Sequence, residues 1–214
     1  MFGHNSFGQL GNGEVQYINN VPTQSVVYTT QIPLTADTSD NDVDHELEII
    51  FPPNRTFEGN IQEIKANGET LTKNKDYEIG EGKIVLKPGG GHNQLIHPED
   101  IMIEVSADYF PDTSVVQTIN TGKAHHMTLE KDIKAPVANN EKFAVQPVLQ
   151  LRDQYDNPCT NESSTQVTAS KNDSGNWELK GTTTVTATGG KIEFTDLKAI
   201  NDGRVEGAQL KFSA

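Results

Sequence analysis

Short apolar stretches, each ended by a turn signal, constrain the fold of this 214-residue chain more than any other feature. Residues 61–66 alternate apolar and polar side chains and run into Asn67-Gly68, and residues 83–87 lead into Pro88 and three glycines. A period of two places successive side chains on opposite faces of a strand, and Asn-Gly is the strongest short signal for a two-residue hairpin turn. The pattern predicts an all-β protein.

The composition limits how such strands build a core. Hydrophobic residues make up 34% of the chain and aromatic residues 7%. The chain has no long, continuous apolar segments. Strands in which apolar and polar residues alternate can still form a buried core when two sheets pack face to face. Stacked antiparallel sheets are therefore the expected architecture.

The charge balance excludes several partners. Asp and Glu number 30 against 17 Lys and Arg, a formal charge of −13. Such a surface repels nucleic acid and anionic membranes, and no apolar run approaches the ~20 residues of a membrane span. We therefore expect no nucleic-acid binding and no membrane insertion. The acidic surplus has two interpretations, solubility of an exposed protein or weak Ca²⁺ binding.

The N-terminal 30 residues are rich in Gly and Asn. The stretch 2–13, Phe-Gly-His-Asn-Ser-Phe-Gly-Gln-Leu-Gly-Asn-Gly, resembles one repeat of the β-propellers typified by the regulator of chromosome condensation, with Phe2 in place of the usual Trp. A single blade cannot bury its faces without neighbouring blades. The resemblance therefore implies an isolated fragment of a propeller. A Gly-rich arm is the alternative.

Residues 31–120 show short strands closed by turns. Asp76-Tyr77-Glu78-Ile79, residues 83–86 and residues 103–112 resemble the haemoglobin-interacting domain of streptococcal haem receptors. The resemblance implies a β-sandwich, and haemoglobin binding is a property of some members of that family.

Residues 121–214 have the clearest rhythm of strands and turns. Residues 147–157 and 189–197 resemble the bacterial immunoglobulin-like repeats of S-layer proteins and invasin-type adhesins. Alternation predicts an inward face formed by Leu149, Leu151, Val167, Ala169, Leu179, Val185, Ile192, Phe194, Leu210 and Phe212, with Trp177 filling the same core. The predicted fold is two tandem immunoglobulin-like β-sandwich domains, residues 31–120 and 121–214, preceded by a partial propeller-type repeat, residues 1–30.

No set of residues indicates a catalytic or metal centre. His125-His126 is the only adjacent His pair, and neighbouring strand residues point to opposite faces. Residues 37–48 imitate an EF-hand loop but have Asp42 where the turn needs Gly. Cys159, the only cysteine, has no basic neighbour in sequence to lower its pKa. We predict a protein that is not an enzyme, with no cofactor beyond weak Ca²⁺ binding.

Two functions fit these features. The first is a structural or adhesive module of a larger bacterial surface or secreted protein, whose partners are neighbouring domains or a cell-wall component and whose export signal lies upstream. The alternative is a module that binds haemoglobin or another host protein through the middle zone. Exposed aromatic rings would have to supply its anchors, and Tyr77, Tyr109 and Phe110 are the ones available. A carbohydrate site is a third possibility, which the low aromatic content disfavours.

Overall fold

The computed structural model describes residues 30–214 and the backbone of two short paired strands, Gly3–Asn5 (β1) and Gln16–Asn19 (β2). In this part the chain is mostly β, with several small antiparallel sheets, as the alternating pattern predicts. The propeller-type repeat predicted for residues 1–30 falls largely outside the described residues, and it stays a prediction.

The first unit, residues 30–120, consists of two facing sheets and three short helical segments. One sheet has the strand order β3-β7-β6, and the other has the order β5-β4-β8-β9. The strands are β3 (Leu47–Ile50), β4 (Ile61–Ala66), β5 (Glu69–Thr70), β6 (Tyr77–Gly80), β7 (Lys83–Leu86), β8 (Asp100–Ala107) and β9 (Thr113–Thr118), with helices α1 (Arg55–Asn60) and α2 (Asn93–Ile96) and a 3₁₀ turn (Pro88–Gly90).

The core of the first unit lies between these sheets. Alternate residues of β8 point inward and are fully buried, as Ile101, Ile103 and Val105 show. Burying such side chains stabilises the fold by about 2 kcal/mol each. The predicted Asn67-Gly68 hairpin is confirmed: it joins β4 to β5, with φ of 48° and 81° at its two residues.

Helix α1 is a departure from the predicted all-β chain. It begins after Asn54, whose Oδ1 accepts hydrogen bonds from the backbone N–H groups of Thr56 and Phe57 at 3.1 and 3.0 Å. The Glu58 side chain in turn accepts from the Asn54 N–H at 3.2 Å. An Asn cap satisfies amides that a helix start leaves free, so one turn and a half forms between the strands and brings Phe57 into the core.

The second unit, residues 121–214, has three sheets around a separate core. Their strand orders are β10-β11-β15, β14-β12-β17 and β13-β16. The strands are β10 (His126–Leu129), β11 (Val148–Arg152), β12 (Gln166–Lys171), β13 (Trp177–Lys180), β14 (Thr184–Thr186), β15 (Lys191–Glu193), β16 (Lys198–Asn201) and β17 (Leu210–Ser213).

The predicted inward face of the second unit is confirmed. All ten apolar residues assigned to it belong to the second core or pack against it. Trp177 is only 6% exposed, but it lies outside that buried cluster, and its indole N–H donates to Asp173 Oδ1 at 2.9 Å. The indole therefore caps the edge of the unit instead of filling its centre.

The two units meet at a polar joint. Asp44 of the first unit accepts hydrogen bonds from the Lys123 N–H and from Gln154 Nε2, at 2.7 and 2.8 Å. Tyr155 packs against the first core. The predicted domain boundary between residues 120 and 121 stays a prediction, because these contacts join the two units. None of the helices in the described residues is long and apolar enough to cross a membrane.

Candidate protein-binding surface

The outer face of the β5-β4-β8-β9 sheet, hereafter the outer face, carries an exposed apolar pair. Met102 of β8 and Val116 of β9 are register partners, 46% and 54% exposed. Directly opposite residues of an antiparallel pair have Cβ atoms about 5 Å apart, so the two side chains form one apolar spot. The residues on either side of Met102 and of Val116 point into the core. Because successive side chains of a strand point to opposite faces, Met102 and Val116 face outward.

Charged groups surround this spot. Lys65 Nζ lies 2.9 Å from Glu63 Oε2, and Lys65 is the register partner of Glu104 on β8. The hydrogen bond between the two side chains lowers the pKa of Glu63 and raises the pKa of Lys65. A shallow depression of about 180 Å³ lies beside them, lined also by Ser106, Asp112 and Ser114. The outer face is thus a small apolar centre with a polar rim, the arrangement common at protein interfaces.

The β8–β9 turn points its two aromatic residues in opposite directions. Phe110 is 8% exposed and its ring packs edge-on against Phe57, with centroids 5.3 Å apart. Tyr109 is 61% exposed and has φ of 72°. A bulky residue with left-handed φ is an outlier that costs of order 1 kcal/mol or more. The strain lies in the Tyr109 backbone, and its exposed ring lies outside the first core.

The structure separates the three predicted anchors. Tyr77 is 4% exposed, on the inward side of β6, and burial raises the pKa of its hydroxyl. Tyr77 and Phe110 therefore belong to the core, and the expectation that both offer exposed rings is wrong. Tyr109 keeps the predicted exposure. Met102 and Val116 were not predicted from the sequence. Their positions on β8 and β9 alternate with those of inward-facing residues, and this alternation could have shown that they face outward.

Two carboxylates of the acidic loop 37–48, those of Asp37 and Asp42, bind groups of the loop itself. Asp37 accepts from the N–H groups of Ser39 and Glu48 at 3.0 and 2.9 Å. Asp42 accepts from the Asp44 N–H and lies 2.7 Å from His45 Nδ1. These contacts shape the loop. Among the described residues no group of three or more His, Cys, Asp or Glu side chains is placed to hold a metal ion.

His126, His97 and Cys159 have structural contacts. His126 lies in β10 near Asp156, at 3.2 Å, and His97 Nδ1 lies 2.9 Å from Asn157 Oδ1 across the joint. Cys159 is 2% exposed, and burial raises the pKa of its thiol to about 11. A thiol that stays protonated at neutral pH is a poor nucleophile.

Charge is distributed unevenly along the chain. Residues 1–120 hold 18 of the 30 acidic and 6 of the 17 basic side chains, whereas residues 121–214 hold 12 acidic and 11 basic ones. The first of these stretches therefore carries a formal charge of −12 and the second −1. A partner with a basic surface would be attracted to the first unit.

A family model covers the first unit. Residues 34–120 match the model described as "Heme-binding protein Shr-like, Hb-interacting domain". This stretch is hereafter the Shr-like segment. It contains the whole outer face and the Tyr109 turn, and it ends where the polypeptide crosses to the second unit. No curated protein sequence matches the chain.

Solved structures give only distant likenesses. A β-glycosidase from Bacteroides vulgatus is 12% identical with a TM-score of 0.36, over 86% of this chain and 23% of that one. A trimodular endo-β-1,4-glucanase from Bacillus licheniformis is 10% identical with a TM-score of 0.28, over 67% and 24%. The titin fragment A168–169 is 9% identical with a TM-score of 0.30, over 73% and 88%. The chain spans about a quarter of the length of the two enzymes, and likenesses this weak carry no argument.

Proposed function

We propose that the Shr-like segment binds haemoglobin and that the chain is a non-catalytic module of a bacterial cell-surface protein. The observation that carries this proposal is the family match over residues 34–120. Haem receptors of the Shr type act at the cell surface, which is where a host protein is met. The structural or adhesive role remains a second function, assigned to the other half of the chain.

The outer face is the surface we assign to this contact. It combines an apolar centre, Met102 and Val116, with charged side chains around it and the exposed Tyr109 ring at the adjacent turn. Hot spots of protein interfaces are aromatic or apolar residues ringed by polar groups that exclude water. The outer surface of the opposite sheet offers one exposed large apolar residue, Ile50, between charged neighbours.

Electrostatics sets how the encounter depends on salt. The formal charge of −12 on residues 1–120 draws basic surface patches towards this unit at low ionic strength. Such steering raises the association rate more than the affinity. The association rate with haemoglobin is therefore expected to fall as salt is raised, while dissociation changes little.

The direct test is a binding measurement with the full chain immobilised and haemoglobin in solution up to tens of micromolar. We expect saturable binding, weakened about tenfold or more when Met102→Asp and Val116→Asp are combined. Ile50→Asp is the matched control, because Ile50 is 51% exposed on the other sheet. Absence of binding at tens of micromolar contradicts haemoglobin recognition, and equal loss in the Ile50 variant contradicts the assignment of the outer face.

The second unit is proposed to be an immunoglobulin-like module that holds the Shr-like segment at a set orientation. Its alternating inward residues support the sandwich, and the joint supports the fixed orientation. Asn157 Nδ2 donates to the Ile96 carbonyl at 2.8 Å, and His97 Nδ1 lies 2.9 Å from Asn157 Oδ1. Residual dipolar couplings on the full chain test this: one shared alignment for both units supports it, and two independent alignments contradict it.

A further inference from the structure

The tip of the β4–β5 hairpin is tied to the apolar centre of the outer face. The Asn67 N–H donates to the Met102 carbonyl at 2.9 Å, and the Met102 N–H donates to Asn67 Oδ1 at 2.8 Å. The Asn67 side chain thus takes the place that a backbone carbonyl has in a regular ladder. Its Nδ2 donates to Gln94 Oε1 of α2 at 3.0 Å. Any chemical change at Asn67 is therefore transmitted to Met102.

Asn67 is followed by a glycine, and this pair is chemically labile. The backbone nitrogen after an asparagine can attack the side-chain amide carbon, and glycine obstructs the attack least because it has no Cβ. Both residues are exposed, and a Cβ atom on Gly68 would meet nothing within 4 Å. The Gly68 N–H donates no hydrogen bond to any residue that the structure describes. The attacking nitrogen is therefore free and open to solvent.

The two side-chain contacts of Asn67 have opposite effects on this attack. Oδ1 gains negative charge as the attack proceeds, and an N–H group already aimed at such an oxygen stabilises the transition state. The Met102 N–H is placed to do this, and since Oδ1 stays in the product, the bond persists through the reaction. Nδ2 is the group that leaves, so its bond to Gln94 must be broken. Met102 thus assists the reaction, and Gln94 opposes it.

We propose that Asn67 is a self-modification site, converted through a cyclic imide to aspartate and isoaspartate, with Met102 as the activating donor and Gln94 as the latch. A bond forms between Gly68 N and Asn67 Cγ, the bond between Cγ and Nδ2 breaks, and the Gly68 amide proton leaves with Nδ2 as ammonia. Water then opens the imide. Cleavage of the bond from the nitrogen to Cγ gives aspartate, and cleavage of the bond to the main-chain carbonyl carbon gives isoaspartate.

Either product changes the surface around Met102. Aspartate places a carboxylate on the Met102 N–H and has no N–H group to give to Gln94. Isoaspartate leads the main chain through the side-chain carbons of residue 67, which lengthens a two-residue turn and breaks the pairing of Ala66 with Glu69. The effect of this change on haemoglobin binding rests on the proposed function, whereas the conversion itself does not.

The test incubates the full chain in mildly alkaline buffer and follows it by peptide mapping. Cleavage after Lys65 and Lys73 releases residues 66–73, in which Asn67 is the only asparagine. Conversion replaces NH₂ by OH, so mass spectrometry counts it, and chromatography separates isoaspartate from aspartate. A net hydrogen bond corresponds to a factor of about five, so Gln94→Ala should convert about fivefold faster than the unaltered chain. With the Met102 donor retained, this variant should be at least as fast as the free synthetic peptide 66–73.

Two control variants separate the site from general loosening of the fold. Asn93→Ala alters the same helix at a side chain that contacts His97 instead, and it should leave the rate unchanged. Gly68→Asn keeps a residue that tolerates left-handed φ but puts a Cβ beside the attacking nitrogen, and the conversion at Asn67 should be lost over the same period.

Three results would overturn the proposal: a Gln94 variant no faster than the unaltered chain, a Gln94 variant slower than the free peptide, or undiminished conversion in Gly68→Asn. Hydrogen exchange at the Met102 amide should quicken about fivefold in the isoaspartate fraction, and an unchanged rate would overturn the link to the outer face. All these measurements are made without haemoglobin, so their failure and a failure of haemoglobin binding are separate results.

Discussion

Asp44 and Gly122 lie in different units and touch so closely that a Cβ atom on Gly122 would collide with both Asp44 carboxylate oxygens. The same carboxylate accepts from the Lys123 N–H and from Gln154 Nε2. This part of the joint thus depends on the Asp44 side chain of the first unit and on the absence of a side chain at Gly122 in the second.

Replacing either residue should loosen the joint. Asp44→Ala removes two exposed hydrogen bonds, a loss of about 1–2 kcal/mol of inter-unit contact, and Gly122→Ala forces the units apart. We expect both variants to broaden the distribution of inter-unit orientations in residual dipolar couplings or small-angle scattering. Asp132→Ala is the control, since this residue of the second unit is exposed in the loop after β10. An unchanged distribution in the Asp44 and Gly122 variants would show that other contacts hold the units.

Asp153, in the second unit next to the joint, should be sensitive to substitution. It is fully buried, and its carboxylate accepts from the N–H groups of Tyr155 and Asn157 and from the Gly122 N–H. In Asp153→Asn an NH₂ group faces some of these donors, so we expect the free energy of unfolding to fall by about 3 kcal/mol in urea titrations. Asp156→Asn in the same loop, at an exposed residue, should cost less than about 0.5 kcal/mol. Equal losses in both would contradict this account.

Cys159 should make the protein less stable in alkali. Burial raises the pKa of the thiol from 9.0 to about 11. Between these values the unfolded chain has lost the thiol proton while the folded chain keeps it, so the free energy of unfolding falls as pH rises from 9 to 11. Urea titrations across this range should show a shallower fall for Cys159→Ala. Tyr77 and Tyr155, whose pKa values burial also raises, contribute equally to both proteins. Parallel curves would contradict the assignment to Cys159.

Tyr109 should be held at a cost in stability. Tyr109→Gly relieves the left-handed φ and should raise the free energy of unfolding by about 1 kcal/mol, while haemoglobin binding weakens. Tyr109→Ala removes the ring but keeps the φ, so it should weaken binding without the gain in stability. Thermal unfolding and binding of the two variants separate the effects. A loss of stability in the glycine variant would show that the ring supports the turn.

The anchors show why the sequence predicts strands better than surfaces. Tyr77 begins a strand and Phe110 sits in a turn, and aromatic residues at such places are equally compatible with burial and exposure. For Phe110, burial was decided by Phe57, which the short helix α1 brings under its ring. Residues more than fifty positions apart in the chain control that choice, and no local pattern reports it.

The sequence by itself determined the strands, the Asn67-Gly68 turn and the inward face of the second unit, because side-chain alternation and positive φ are properties of a few neighbouring residues. Only the tertiary structure decided that Met102 meets Val116, that Asp44 fits against Gly122 and that β17 pairs with β12. Each of these depends on which strands pair and in what register. Pairing is settled by contacts across the whole chain, since burial of the shared core and satisfaction of buried polar groups select one arrangement.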